Sequence, residues 1–156
     1  MRRPKVTIAL HTEIENTDDI FPQNIFDVKW YRKLCENSNV CIEGLCSFSL
    51  SVILVNEERI RALNTEYRGI SRVTDVLSFA YDEKAVLESG EVYLCPAQAL
   101  RQRSRFHTTM KQECTRLFYH GLLHIIGFDH DVGVRRKQMR ALEDCLMKKA
   151  RADHLW

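Results

Sequence analysis

Three histidines, His120, His124 and His130, stand in the stretch HGLLHIIGFDH at the spacing H-x-x-x-H-x-x-G-x-x-H. Residues four apart on an α-helix lie about 6 Å apart along the axis and are rotated by only ~40°, so His120 and His124 project from one face and can hold one ion. Gly127 lets the backbone enter a left-handed conformation and reverse, and a turn there can bring His130 round as a third ligand. Three neutral imidazoles with one open position describe a catalytic zinc site, because structural sites close the fourth position with protein. A pair at i, i+4 alone would read as ordinary helix residues; the glycine and the third histidine favour a metal. Imidazole also suits nickel, copper and iron, so the spacing does not by itself select zinc. Asp129 and Asp131 flank the third histidine, either as groups that orient an imidazole or as solvated turn residues.

Zinc peptidases with this histidine spacing place a glutamate directly after the first histidine, where this chain has Gly121. Zinc brings the pKa of water to near 7, so a nucleophile exists at neutral pH without that residue. Peptide hydrolysis would still lack a carboxylate to carry the proton to the leaving amine. A phosphodiester needs that residue less when a cation stabilises its charged transition state. Phosphodiester cleavage therefore ranks above the alternative, a metalloprotease. Glycine in a helix interior costs roughly 1 kcal/mol against alanine, so Gly121 implies close packing on a neighbour or a clear approach to the metal.

The histidine pair requires a continuous helix. Thr109 with Gln112 forms a capping-box pattern ahead of a helix running to about Ile126, with Gly127 as its terminator. Upstream, KVTIAL (5 to 10) reads as a strand, and IFDVKWYRKLCENS places Ile25, Val28, Trp30, Tyr31 and Leu34 at near-helical intervals. CSFSLSVILV (46 to 55) reads as a strand with Phe48, Leu50, Val52 and Leu54 on one face. Asn56 caps EERIRALNTEYR, and Gly69 ends it. TDVLSFAY (74 to 81) and EVYLC (91 to 95) read as strands, and Pro96 suits the first turn of a helix over AQALRQRSRF. A last helix from about Val134 to Arg151 buries Met139, Leu142, Cys145 and Leu146. The order predicts an α+β fold: a small mixed sheet of about four strands packed with about five helices.

With 156 residues and no repeat, low-complexity tract or linker, the whole chain from 1 to 156 reads as a single domain able to bury roughly 70% of its unfolded surface. Lys plus Arg total 23 against 21 Asp plus Glu, a balance that neither announces nor excludes a nucleic-acid partner. The distribution is uneven: Leu100 to Arg116 carries five basic residues and one acidic one, and leads into the metal-bearing helix. Arg101, Arg103 and Lys111 are the candidate nucleic-acid contacts of this segment, against the plainer reading of a solvated helix face. Arg68, at a helix end beside Gly69, can form bidentate bonds to a phosphate, or simply complement the helix C-terminus. Phe79 and Tyr81 could stack bases, although a strand phenylalanine is more often core. The six cysteines contain no C-x-x-C pair, the N-terminus shows no signal-peptide pattern, and no run approaches the ~20 apolar residues of a membrane span. A soluble cytoplasmic protein with reduced thiols and no membrane partner is expected.

On the residues HGLLHIIGFDH, LNTEYRG (63 to 69), TDVLSF (74 to 79) and the Gly90–Glu91 step, the chain resembles the YbeY-type rRNA maturation endoribonucleases. The likeness spans about Ser51 to His130; the first 45 residues and the last helix add only compatible length. Phe128 stands where tyrosine is usual in that family, Glu91 where aspartate is common, and Ala80 where proline often follows. The resemblance implies a zinc-dependent, single-strand-specific endoribonuclease acting in 16S rRNA 3′-end processing and ribosome quality control. It implies His120, His124 and His130 as ligands of one zinc ion, His120 and Arg68 in the catalytic machinery, and RNA rather than DNA as substrate. The small ribosomal subunit and its assembly factors are the implied partners. A non-catalytic ribosome-assembly factor with a structural metal is a further alternative.

Overall fold

The computed structural model describes residues 6–42, 48–81, 88–128 and 133–156. Elements follow the order β1 (Val6–Thr12), a 3-10 turn (Gln23–Phe26), α1 (Val28–Cys41), β2 (Phe48–Leu54), α2 (Glu57–Arg68), β3 (Val76–Tyr81), β4 (Glu88–Leu94), α3 (Pro96–Phe106), α4 (Met110–Ile125) and α5 (Gly133–Ala152). The four strands form one sheet in the order β1-β2-β4-β3. β1, β2 and β4 run parallel, and β3 lies antiparallel to β4 at the edge, with Ser78 opposite Val92 and Phe79 opposite Glu91. This is the α+β mixed sheet the pattern predicts.

The strand SVILV is apolar on successive residues because both faces of the sheet are covered. Leu50, Val52 and Leu54 join Val92 and Leu94 in a large core with Tyr31 and Leu34 of α1, Leu117, Phe118 and Leu122 of α4, and Met139 and Leu146 of α5. Ile53 and Leu77 point the other way, into a smaller cluster with Ile60 and Leu63 of α2. Side chains alternate along a strand, so α4 and α2 lie on opposite faces of the sheet. Two buried tyrosine hydroxyls are satisfied by backbone: Tyr31 Oη donates to the Ile25 carbonyl at 2.8 Å and Tyr119 Oη to that of Leu34 at 3.1 Å.

Local signals end the helices as read. The Asn56 side chain accepts from the Arg59 amide at 2.8 Å, and Gly69 closes α2 at φ 68°. Both halves of the Thr109–Gln112 capping box are formed. Two expectations are corrected. The apolar period from Ile25 does not give one helix, because extended Asp27 interrupts it and its carboxylate caps α1 by accepting from the Lys29 amide at 2.9 Å. Nor are all thiols reduced and Cys145 buried: exposed Cys145 on α5 is disulfide-bonded to Cys41 at the end of α1, with Cα atoms 6.1 Å apart. A pairing across 104 residues follows from α1 packing on α5 and leaves no local trace in sequence. Cys35, Cys95 and Cys114 are free and buried, and Cys46 lies outside the described residues.

Candidate metal centre

α4 presses on β3 and β4 at the level of Gly121. A β-carbon added there would stand 2.9 Å from Val92 Cγ1, closer than β-carbons come to other atoms, and a tight 3.2 Å from its Cγ2. Gly90 of β4 meets the end of α4 in the same way: its β-carbon would lie 2.9 Å from Ile125 Cδ1 and 2.6 Å from the Phe79 carbonyl oxygen. These two glycines let helix and sheet approach, and the side of α4 bearing Gly121 is spent on packing. Gly121 therefore points into the sheet contact, and a glutamate at that position would not fit it as packed.

His120 and His124 are half-buried on another side of α4. Their rings meet edge to face at 4.8 Å between centroids, with Nε2 of one 3.2 Å from Nε2 of the other. Two nitrogens on a zinc ion at 2.0–2.1 Å in tetrahedral geometry are about 3.4 Å apart, so the pair fits one edge of such a coordination shell. Behind His120, its Nδ1 lies 2.5 Å from Glu143 Oε1 of α5. Arg116, one turn before His120 on the same stripe, holds the buried Glu113 carboxylate through Nη2 at 2.7 Å and Nε at 3.3 Å. It also stands 4.0 Å from Asp75 at the entry to β3. Burial works against its charge, but the Glu113 hydrogen bond and the Glu113, Asp75 and Glu143 carboxylates outweigh it and raise its pKa further. His130, Asp129 and Asp131 lie outside the described residues, and no group of three metal-binding side chains occurs among those described.

The chain matches the sequence profile of a family described as Endoribonuclease YbeY over residues 13–151. The chain belongs to the endoribonuclease YbeY family. An Endoribonuclease YbeY of Heliobacterium modesticaldum is 33% identical over 144 residues, covering 81% of this chain and 87% of that protein. One from Thermodesulfovibrio yellowstonii is 34% identical over 114 residues, covering 70% and 72%. A solution structure from Thermotoga maritima superposes with a TM-score of 0.59 at 24% identity, covering 96% of this chain and 95% of that one, which is a likeness of fold. As a YbeY-family member the chain is an RNA-cleaving hydrolase, and the histidine stretch is read in that light.

The other sequence candidates are dispersed around this YbeY fold. Arg68 is exposed in the last turn of α2, the helix whose buried residues pack on the other face of the sheet from those of α4. Exposed Arg101 is engaged with Glu57 of α2, and Arg103 is exposed near the end of α3. Lys111 is exposed on α4 but nine residues before His120, about two and a half turns away and therefore on the opposite side of the helix. Phe79 and Tyr81 line a groove of about 280 Å³ on the α2 face with Tyr67, Tyr93 and Glu91. Tyr93 Oη donates to Glu91 at 2.9 Å, and hydrogen bonding to the same carboxylate pushes the Tyr81 hydroxyl up to about 12.

Sequence reasoning missed Arg116 and Glu143. The signal for Arg116 was present, since 116, 120 and 124 share one stripe at i+4 spacing. Glu143 carried none, because its meeting with His120 depends on how α5 docks.

Proposed function

We propose that this enzyme is a zinc-dependent endoribonuclease that cuts single-stranded RNA in 16S rRNA 3′-end maturation and ribosome quality control. The observation that supports the metal is the mutual approach of His120 and His124 through Nε2 at 3.2 Å, on a helix whose adjacent Gly121 is committed to packing against Val92. These two histidines, with His130, are the residues we assign to one zinc ion. When bound, the ion supplies Lewis acidity that brings the ionisation of water into the neutral range.

Around it the chain's own groups divide the work. His120 and His124 would hold the ion, and His120 would belong to the reacting centre through it. Arg68 is assigned to the scissile phosphate, where a guanidinium binds two oxygens at once and offsets charge gained in the transition state. Arg101, Arg103 and Lys111 are assigned to the RNA backbone away from the cut, as sequence-independent contacts. The partners proposed are rRNA and the small ribosomal subunit with its assembly factors, in the cytoplasm; DNA is not a proposed substrate. No described helix is long and apolar enough to cross a membrane. The peptidase reading loses ground because the packing at Gly121 leaves no room for the carboxylate that it requires.

Elemental analysis beside a ribonuclease assay on wild type, His124→Ala and Arg68→Ala tests the reading. We expect one zinc per wild-type chain and cleavage of single-stranded RNA, loss of both in His124→Ala, and retained zinc with cleavage lowered by roughly 10²-fold or more in Arg68→Ala. Undiminished cleavage by metal-free His124→Ala would overturn it.

A further inference from the structure

α5 buries one stripe against α1 and α4, on which Met139, Leu146 and Ala150 are inaccessible. Glu143 falls on that stripe, four residues after Met139 and three before Leu146, where the helical period calls for an apolar side chain. Its side chain is only 18% exposed. A carboxylate in such a place costs free energy unless hydrogen bonding compensates it, and one partner it meets is Nδ1 of His120 at 2.5 Å. Neutral imidazole carries one N–H and one lone pair. An acceptor at Nδ1 places the proton there, which leaves the lone pair on Nε2, the atom that faces His124. The two ring nitrogens point in divergent directions, so Glu143 lies behind the ring and not on the side where an ion would sit.

We propose that Glu143 is a positioning residue that sets the tautomer and ring orientation of His120 and so prepares its Nε2 as a metal ligand. The inference rests on the zinc reading above and deepens it: α5, the element that shows no part of the family motif, supplies the group that makes the α4 histidine competent. Carboxylates behind ligating histidines raise ligand basicity, and their loss weakens metal binding by about 10- to 100-fold.

The test uses the full-length protein with Glu143→Leu, which suits the apolar stripe and leaves folding intact, and Glu143→Gln, which keeps the shape and an acceptor. Zinc affinity is read by competition with a chromophoric chelator. The His120 tautomer is read in metal-free protein from long-range ¹H–¹⁵N spectra, and thermal stability is measured without metal. We expect the Nδ1–H pattern at His120 in wild type and its loss in Glu143→Leu. Zinc dissociation constants should be about 10- to 100-fold higher in Glu143→Leu and largely restored in Glu143→Gln, with metal-free Glu143→Leu at least as thermostable as wild type. An unchanged tautomer, or zinc affinity in Glu143→Leu equal to wild type, overturns the proposal. Wild type that binds no zinc defeats the metal reading instead, and the tautomer comparison in metal-free protein then still decides what Glu143 does.

Discussion

Gly121 of α4 and Val92 of β4 are packed so closely that a single added carbon on Gly121 would approach Val92 Cγ1 to 2.9 Å. Val92 is β-branched and fully buried, so it has little freedom to yield. Gly121→Ala gains about 1 kcal/mol of helix propensity but overpacks the contact by about 1–3 kcal/mol, so a net loss of about 1 kcal/mol is expected in urea denaturation. Val92→Ala in the same chain should remove most of the clash, a coupling a double-mutant cycle measures. Gly121→Glu should cost about 3 kcal/mol or more, with no proteolytic activity gained.

Arg116 is the partner of a carboxylate with almost no access to water, since Glu113 is 1% exposed. Arg116→Leu leaves that charge buried and uncompensated, and a loss of about 3 kcal/mol is expected by chemical denaturation. Arg116→Lys keeps the charge without the two-pronged geometry and should fall between. Equal stability of all three proteins would show that the Arg116–Glu113 pair contributes nothing to the fold.

The Cys41–Cys145 bond closes a loop of 104 residues between α1 and α5. Reduction should lower stability by about 2–4 kcal/mol through the added freedom of the unfolded chain, and Cys145→Ser should behave as the reduced protein with or without reductant. The comparison is one of urea midpoints in the presence and absence of dithiothreitol.

Alkaline pH should loosen the core. Burial pushes the Cys114 thiol up to about 12 and raises Cys35, Tyr31 and Tyr119 well above their ordinary ranges. A raised folded-state pKa means that the neutral group stabilises fully below the unfolded value and that this stability is lost as pH rises towards the folded one. For Cys114 the window runs from about pH 9 to about 12. Thermal midpoints should therefore fall above pH 9, and the buried thiols should resist alkylation at pH 8 until the protein is unfolded. Rapid alkylation of Cys35, Cys95 or Cys114 in the native protein at that pH would contradict the packing.

Much of the fold was legible in the chain because its signals are local. Asn56, Gly69, Pro96, Thr109 and Gln112 act within a turn of their own position, and they mark α2, α3 and the start of α4. Apolar alternation found the strands, although β4 begins at Glu88, before the apolar run at 91 to 95. Asp27 was misread because its capping role competes with an apolar period that continues across it.

The same division runs through the site. By itself the sequence determined that His120 and His124 share one face of a helix, since 3.6 residues per turn decides this for any continuous helix. It also determined the family, through motifs that are contiguous in the chain. Tertiary structure alone decided that Gly121 meets Val92, that Glu143 stands behind His120, that Cys41 reaches Cys145, and that α2 and α4 pack on opposite faces of the sheet. Each of these depends on how helices dock on a β1-β2-β4-β3 sheet, and docking is settled by the summed burial of many side chains, which no short stretch of sequence contains.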